Sequence, residues 1–191
     1  MASAEAPSQP PPLAARRILL CVCGGIAAYK AVELVRRLRD AGAEVQVAMT
    51  ADALHFVGAP TFQAVSGRTV RSSLWDEAAE AAMGHIELAR WAELVLVAPA
   101  TANTIAKLAH GLADDLVSTL CLATTAPVVL APAMNHRMWT HAATQANVAT
   151  LHARGVRLLG PDDGAQACGD FGPGRLREPD AIVAALLEPA A

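Results

Sequence analysis

Ile18-Leu19-Leu20-Cys21-Val22-Cys23-Gly24-Gly25, "ILLCVCGG", is the stretch whose reading decides the fold. Its six apolar residues lack the alternation of a half-solvated strand, so the run reads as a strand covered on both faces, as in a parallel sheet. Gly24-Gly25 then turn the chain into "IAAYKAVELVRRLRDAG". There Ile26, Tyr29, Val32, Val35 and Leu38 recur at helical spacing, and Gly42 supplies a stop. A second strand is expected over Glu44 to Thr50.

The same alternation continues outward. After a mixed region from Ala51 to Met83, "HIELARWA" places Ile86, Leu88, Ala89 and Trp91 at helical spacing, and "LVLVA" from Leu94 is another buried strand. Helices are expected over Thr104 to Ala109 and Asp115 to Ala123, with Gly111 and Asp114 as the break and cap between them. A strand over Val128 to Leu130, a helix over Thr140 to Ala153, a strand over Val156 to Leu159 and a helix over Pro179 to Leu187 complete the series. Strands alternating with helices imply a parallel sheet wrapped on both sides. With right-handed crossovers, that is a doubly wound α/β layer sandwich of flavodoxin-like or Rossmann-like type. The 191 residues suit one domain. Pro10-Pro11-Pro12 forbid helix in an Ala-, Ser- and Pro-rich start, so residues 1–16 read as a disordered leader and 17–191 as the domain. The segment Gly160 to Gly174, "GPDDGAQACGDFGPG", carries five glycines and two prolines in fifteen residues and reads as a long loop of functional rather than idle character.

Composition narrows the partners. Hydrophobic residues make up 53% and charged residues 17%, against roughly 45–50% and about 25% in ordinary soluble domains. No apolar run approaches the roughly 20 residues of a spanning helix, so no membrane is expected, and the excess is assigned to burial against other copies of the chain. A net charge of −3 and scattered arginines give no basic face, which argues against nucleic acid. Cys21, Cys23, Cys121 and Cys168 lack zinc-site spacing, and no apolar signal segment opens the chain. No metal site and a reduced, cytoplasmic protein are expected.

Four places carry chemistry. Gly24-Gly25 open a helix after a strand, where backbone N–H groups can meet a phosphate, although a ligand-free turn fits the same glycines. "APATANT" (98–104) sets Thr101, Asn103 and Thr104 at a helix start, as plain caps or as donors to a ring or phosphate. His85 stands off the apolar stripe of its helix, as a capping or surface residue or as a catalytic one. Cys21, Cys23 and Cys121 read as small apolar fillers. Cys168, beside Gly169-Asp170, has no core to fill, which suits proton transfer or nucleophilic work.

In order along the chain, "GGIAAYK", "TADALHF", "GHIELARWA", "PATANT", "PAMNHRMW" and "ACGDFGPGR" resemble the flavin-dependent cysteine decarboxylases from about Arg17 to Leu187. The closest likeness is to the phosphopantothenoylcysteine decarboxylases that form the N-terminal half of a bacterial fused protein, whose second half is a phosphopantothenate-cysteine ligase. The resemblance implies FMN as cofactor, held by Gly24, Gly25, Ile26, Thr50, Thr101, Ala102, Asn103 and Thr104, with Ala133 beside the flavin. It implies Asn135 at the substrate carboxylate, Met138 in the packing of the site, and His85 and Cys168 as catalytic residues. It further implies a small-molecule substrate, trimers, often four of them in a dodecamer, a site between subunits, and a ligase domain working in tandem.

The reaction implied is decarboxylation of 4′-phospho-N-pantothenoylcysteine to 4′-phosphopantetheine in coenzyme A biosynthesis. A plain cysteine offers no sink for the electrons that CO2 leaves behind, so the thiol-bearing carbon is first oxidised to a thioaldehyde with FMN, and CO2 loss then gives an enethiolate. Asn135 binds the carboxylate without a countercharge that would hold it in place. His85 accepts the thiol proton or steers the carboxylate, and Cys168 gives a proton to the enethiolate carbon. The competing readings are a peptidyl-cysteine decarboxylase that makes aminovinyl-cysteine peptides, against which Cys168 argues, and a phosphatase-binding regulator on the same fold. Retention of His85, Asn135 and Cys168 argues against the regulator.

Overall fold

The computed structural model describes residues 11–76 and 84–188. Five parallel strands lie in the order β2-β1-β3-β4-β5: β1 (Arg17–Val22), β2 (Glu44–Met49), β3 (Leu94–Ala100), β4 (Val128–Pro132) and β5 (Arg157–Leu158). This is the flavodoxin-like doubly wound order, with the topological switch at β1/β3. The sequence expectation of a parallel α/β sandwich holds.

Alternate residues of β1 to β4 feed opposite faces. Ile18, Leu20 and Val22 of β1, with Leu94, Leu96 and Ala98 of β3, pack under α1 (Ala28–Asp40) and the closing helix. Leu19, Cys21, Val95, Val97 and Ala100 pack on the other side under α3 (His85–Trp91), α4 (Ala102–His110) and α5 (Leu116–Ala123), joined by Leu151 of the later helix Ala142–Ala153. A strand with both faces covered must be apolar throughout, which is what "ILLCVC" encodes. Helix α2 (Ala59–Ser66) and a short 3-10 turn at Asp52–His55 occupy the region read as mixed; its part at 77–83 lies outside the described residues.

Several boundaries differ from expectation. Residues 11–16, expected as part of the leader, pack on the sheet and helices: Leu13 is 3% exposed, and its N–H donates to the Ala41 carbonyl at 2.8 Å, while residues 1–10 lie outside the described residues. On α1 the buried stripe is Ala28, Ala31, Leu34, Val35 and Leu38, while Ile26 and Tyr29 are 66% and 61% exposed. The two alternative stripes share Val35 and Leu38, and small alanines fit closer to the sheet than the larger residues assigned there. Asp115, not Asp114, caps α5, in a capping box with Ser118; Asp114 pairs with Lys107 instead. The helix expected from Thr140 is two helices, α6 (His136–Thr140) and α7 (Ala142–Ala153), with His141 capping the second through Nδ1. Helix α8 (Pro179–Leu187) lies as expected.

The largest correction concerns Gly160 to Gly174. Instead of a structureless loop it folds as an antiparallel hairpin, β6 (Asp162–Ala165) with β7 (Phe171–Arg175). Glycine was read there as a breaker, yet in this hairpin it permits contact. Gly174 has φ +142, and a Cβ on it would strike the Met134 carbonyl oxygen. Without side chains on that face, β7 lies against the segment that leaves β4, and Met134 donates its N–H to the Gly174 carbonyl at 2.9 Å. Among the described residues no helix is long and apolar enough to cross a membrane.

Candidate functional site

All five sheet strands point the same way, so their C-terminal ends share one edge, and in such sheets ligands bind in the crevice along that edge. At the β1/β3 switch, Gly24-Gly25 follow β1 and Thr101 follows β3. A Cβ on Gly24 would collide with the Asp52 side chain, so glycine is what lets the turn after β2 approach. A Cβ on Gly25 would meet nothing closer than Thr101 Cγ2 at 4.0 Å, which leaves open space between the two strand ends. Thr50 closes its own turn, its hydroxyl oxygen accepting the Ala53 N–H at 3.2 Å, and no hydrogen bond among the described residues takes up its hydroxyl hydrogen.

The "PATANT" segment divides into two roles. Thr101 is the N-cap of α4, accepting the Thr104 N–H at 3.2 Å. Thr104 is buried; its hydroxyl touches that of Thr101 at 3.1 Å and donates to Cys23 Sγ at 3.2 Å. These two threonines therefore brace the strand end from within. Asn103 is exposed, and with the N–H groups of Ala102 and Asn103 in the first turn it is the part of the segment open to a ligand.

The cysteines divide as sharply. The hydrogen bond with Cys121, then burial, push the Cys21 thiol well above its ordinary range, and burial pushes Cys23 up to about 12. At neutral pH both are uncharged fillers. Cys121 is half-buried, and Cys168 is exposed in the β6–β7 turn.

At the end of β4 the structure brings two of the expected site residues together. Asn135 is the N-cap of α6, its Oδ1 accepting the Arg137 N–H at 2.9 Å. An N–H can only donate, so this bond fixes which way the amide faces and turns Nδ2 towards the hairpin. There Nδ2 lies 3.3 Å from Cys168 Sγ and 3.2 Å from Gln166 Oε1. The Cys168 thiol in turn donates to Asp170 Oδ2 at 3.5 Å, and His136 Nδ1 lies 3.6 Å from that same oxygen. Ala133, half-buried, donates its N–H to the Ala100 carbonyl at 3.0 Å and so ties this strand end to that of β3. Met138 is 49% exposed at the rim. His85 begins α3, half-buried, and that helix leads into the start of β3. No hydrogen bond among the described residues joins it to Asn135 or Cys168, although it has an interaction of its own.

Gln166, Asp170 and His136 were not read as site residues. Their one sequence signal is polar side chains within a few residues of Cys168 and Asn135; only the hairpin's return onto β4 makes them neighbours.

An amide donor and a thiol on opposing elements can bind an anionic group and move a proton beside it. Among known proteins, residues 8–190 match the Flavoprotein family. The chain is 61% identical over 171 residues to the coenzyme A biosynthesis bifunctional protein CoaBC of Escherichia coli K12, covering 90% of this chain and 42% of that protein. It is 49% identical over 168 residues to the CoaBC of Bacillus subtilis 168, covering 88% and 41%. It thus spans about two-fifths of the length of these relatives. Among solved structures, a PPC decarboxylase variant complexed with pantothenoylaminoethenethiol superposes with a TM-score of 0.79 at 32% identity, covering 90% of this chain and 96% of that one. The FMN-dependent cysteine decarboxylase SpaF superposes with a TM-score of 0.77 at 34% identity, covering 94% and 99%. The chain therefore belongs to the flavoprotein family, among its flavin-dependent cysteine decarboxylases.

Proposed function

We propose that this chain decarboxylates 4′-phospho-N-pantothenoylcysteine to 4′-phosphopantetheine, with FMN as cofactor, in coenzyme A biosynthesis. The observation that carries the reading is the 3.3 Å approach of Asn135 Nδ2 to Cys168 Sγ at the end of β4. The names of the CoaBC relatives and of the PPC decarboxylase neighbour support the pathway and the substrate.

The residues at the switch point fit FMN: Gly25 leaves the space, Gly24, Gly25, Ile26 and the first turn of α4 offer N–H groups, and Thr50 and Asn103 offer side-chain donors. When bound, FMN supplies the two-electron acceptor that oxidises the substrate's thiol-bearing carbon and later returns a hydride. Asn135 donates an N–H to the carboxylate, orienting it while adding no positive charge that would favour the bound anion over departing CO2. Cys168 Sγ holds the proton for the enethiolate carbon. His85 accepts the substrate thiol proton or steers the carboxylate, and Met138 packs against the substrate. In this reading the chain assembles as a trimer or as a dodecamer of trimers, with the site between subunits and exposed Ile26 and Tyr29 among the covered surfaces. It works in the cytoplasm beside a phosphopantothenate-cysteine ligase domain, which accords with the greater length of its relatives. Peptidyl-cysteine is the second reading of the substrate, because the six motifs also resemble the decarboxylases of aminovinyl-cysteine peptide synthesis.

Purified protein is expected to be yellow and to release CO2 from phosphopantothenoylcysteine without oxygen or added reductant. Protein that never takes up FMN, or that releases CO2 only from peptidyl-cysteine, contradicts the reading.

A further inference from the structure

Gln166 follows β6 directly, and both of its ends are committed. Its backbone closes the turn that carries Cys168: Gln166 N–H donates to the Asp170 carbonyl and Gly169 N–H to the Gln166 carbonyl, each at 2.9 Å. Its side chain leaves the hairpin for α6. Oε1 accepts the His136 N–H at 3.0 Å and Asn135 Nδ2 at 3.2 Å and lies 3.9 Å from the Cys168 thiol sulfur, while Nε2 lies 3.5 Å from the Pro173 carbonyl oxygen.

The orientation of this amide is determined. The His136 N–H can only donate, so the oxygen of Gln166 must face it, and the same oxygen then meets Asn135 Nδ2. Asn135 is fixed independently by the Arg137 N–H. Two consecutive backbone donors of α6 thus key two amides from different elements into one plane of contact. One hydrogen of Asn135 Nδ2 is spent on Gln166, and the other points to Cys168 Sγ, where a carboxylate would take it. Gly174 belongs to the same device, because a Cβ there would come within 2.9 Å of Gln166 Nε2.

We infer that Gln166 is a positioning residue: it aims the carboxylate-binding N–H of Asn135 and ties it to the turn bearing Cys168, so that carboxylate and proton donor are presented together. Its oxygen also lies 3.9 Å from Cys168 Sγ, so it holds the turn and Asn135 together rather than acting on the substrate itself. The inference rests on the decarboxylase reading for its reaction, and on hydrogen-bond geometry alone for its placement.

The test is a double-mutant cycle on the FMN-loaded protein with Gln166→Leu, Asn135→Ala and both together. Gln166→Leu is expected to lower kcat for CO2 release on the order of 10²-fold, the scale of an Å-sized misplacement. KM should change less, with flavin content and Tm near wild type. In the Asn135→Ala background the same change is expected to cost little more, because groups acting through one another are not additive. Independent, additive losses, or wild-type turnover in Gln166→Leu, overturn the proposal. Gln166→Glu keeps both accepted hydrogen bonds, so its kcat should stay within several-fold of wild type with KM raised by charge repulsion; a collapse equal to that of leucine overturns the role, and this variant stands in should the leucine variant not fold. If the wild type itself releases no CO2, the reaction reading fails separately. The crystal structure of the glutamine-to-leucine variant then decides: an Asn135 amide turned from its place supports positioning, and an unmoved amide overturns it.

Discussion

The central sheet and the β6–β7 hairpin stand at opposite extremes of one molecule. The sheet is held by burial: Leu20 and Leu96 are fully buried, and β1 to β4 each feed both cores. The hairpin buries little; Phe171 is 76% exposed, and what fixes it to β4 is a backbone hydrogen bond at Met134, the glycine approach at Gly174 and the Gln166 amide. Apolar burial is non-directional and tolerates small errors, whereas hydrogen bonds at close approach demand geometry. A rigid sheet therefore sets where the site is, and a weakly buried hairpin sets what it can do.

Each region should fail in its own way. Leu96→Ala is expected to cost about 2–5 kcal/mol of stability, read by denaturant unfolding, with kcat of the folded fraction little changed. Asn135→Ala should reverse that pattern. CO2 release is expected to fall about 10²–10³-fold, the scale seen when one preorganised donor is removed, with Tm lowered only by loss of the α6 cap. If both substitutions damage stability and turnover alike, the division of labour is wrong. Gly174→Ala, strained at φ +142 and blocked by the Met134 carbonyl, is expected to cost about 1–3 kcal/mol locally. Faster hydrogen exchange confined to the hairpin, with flavin retained, would sharpen the comparison; global unfolding would break it.

The smallest effect belongs to Asp115. Burial pushes its carboxyl up, but hydrogen bonds from Lys107 and the Ser118 amide outweigh this and hold it below the ordinary range. A folded-state value below the unfolded one, about 3.9, gives stability that is present above that pH and lost as pH falls through the folded value. Asp115→Ala is expected to lower neutral-pH stability by about 1 kcal/mol and to flatten the acid limb; an unchanged acid limb contradicts the assignment.

What could be read from the sequence follows the same division. Burial on both faces leaves a pattern, so "ILLCVC", "LVLVA" and the series of helices were legible as a doubly wound sheet. The β4 end was legible too: Asn135 and Cys168 were singled out apart, and the structure brings them together. The hairpin was not, because glycine carries no information about whether it breaks an element or admits a neighbour. Gln166 escaped for a related reason: its partners lie 30 and 31 residues away, beyond any local spacing rule. Ile26 and Tyr29 misled because helical periodicity fixes a stripe only to within one position of rotation, and two stripes were present on α1.

The most direct test of the decarboxylase reading is the product mass from phosphopantothenoylcysteine under anaerobic conditions, with wild-type protein and with Cys168→Ser. The wild type should turn over to saturated 4′-phosphopantetheine, and the variant should give about one enethiol per bound FMN, lighter by one molecule of H2, with the two electrons left on the flavin, because CO2 is lost before the proton from Cys168 is needed. Saturated product from both proteins would remove Cys168 from the proton-transfer step, and no decarboxylated product from the wild type would contradict the reaction itself.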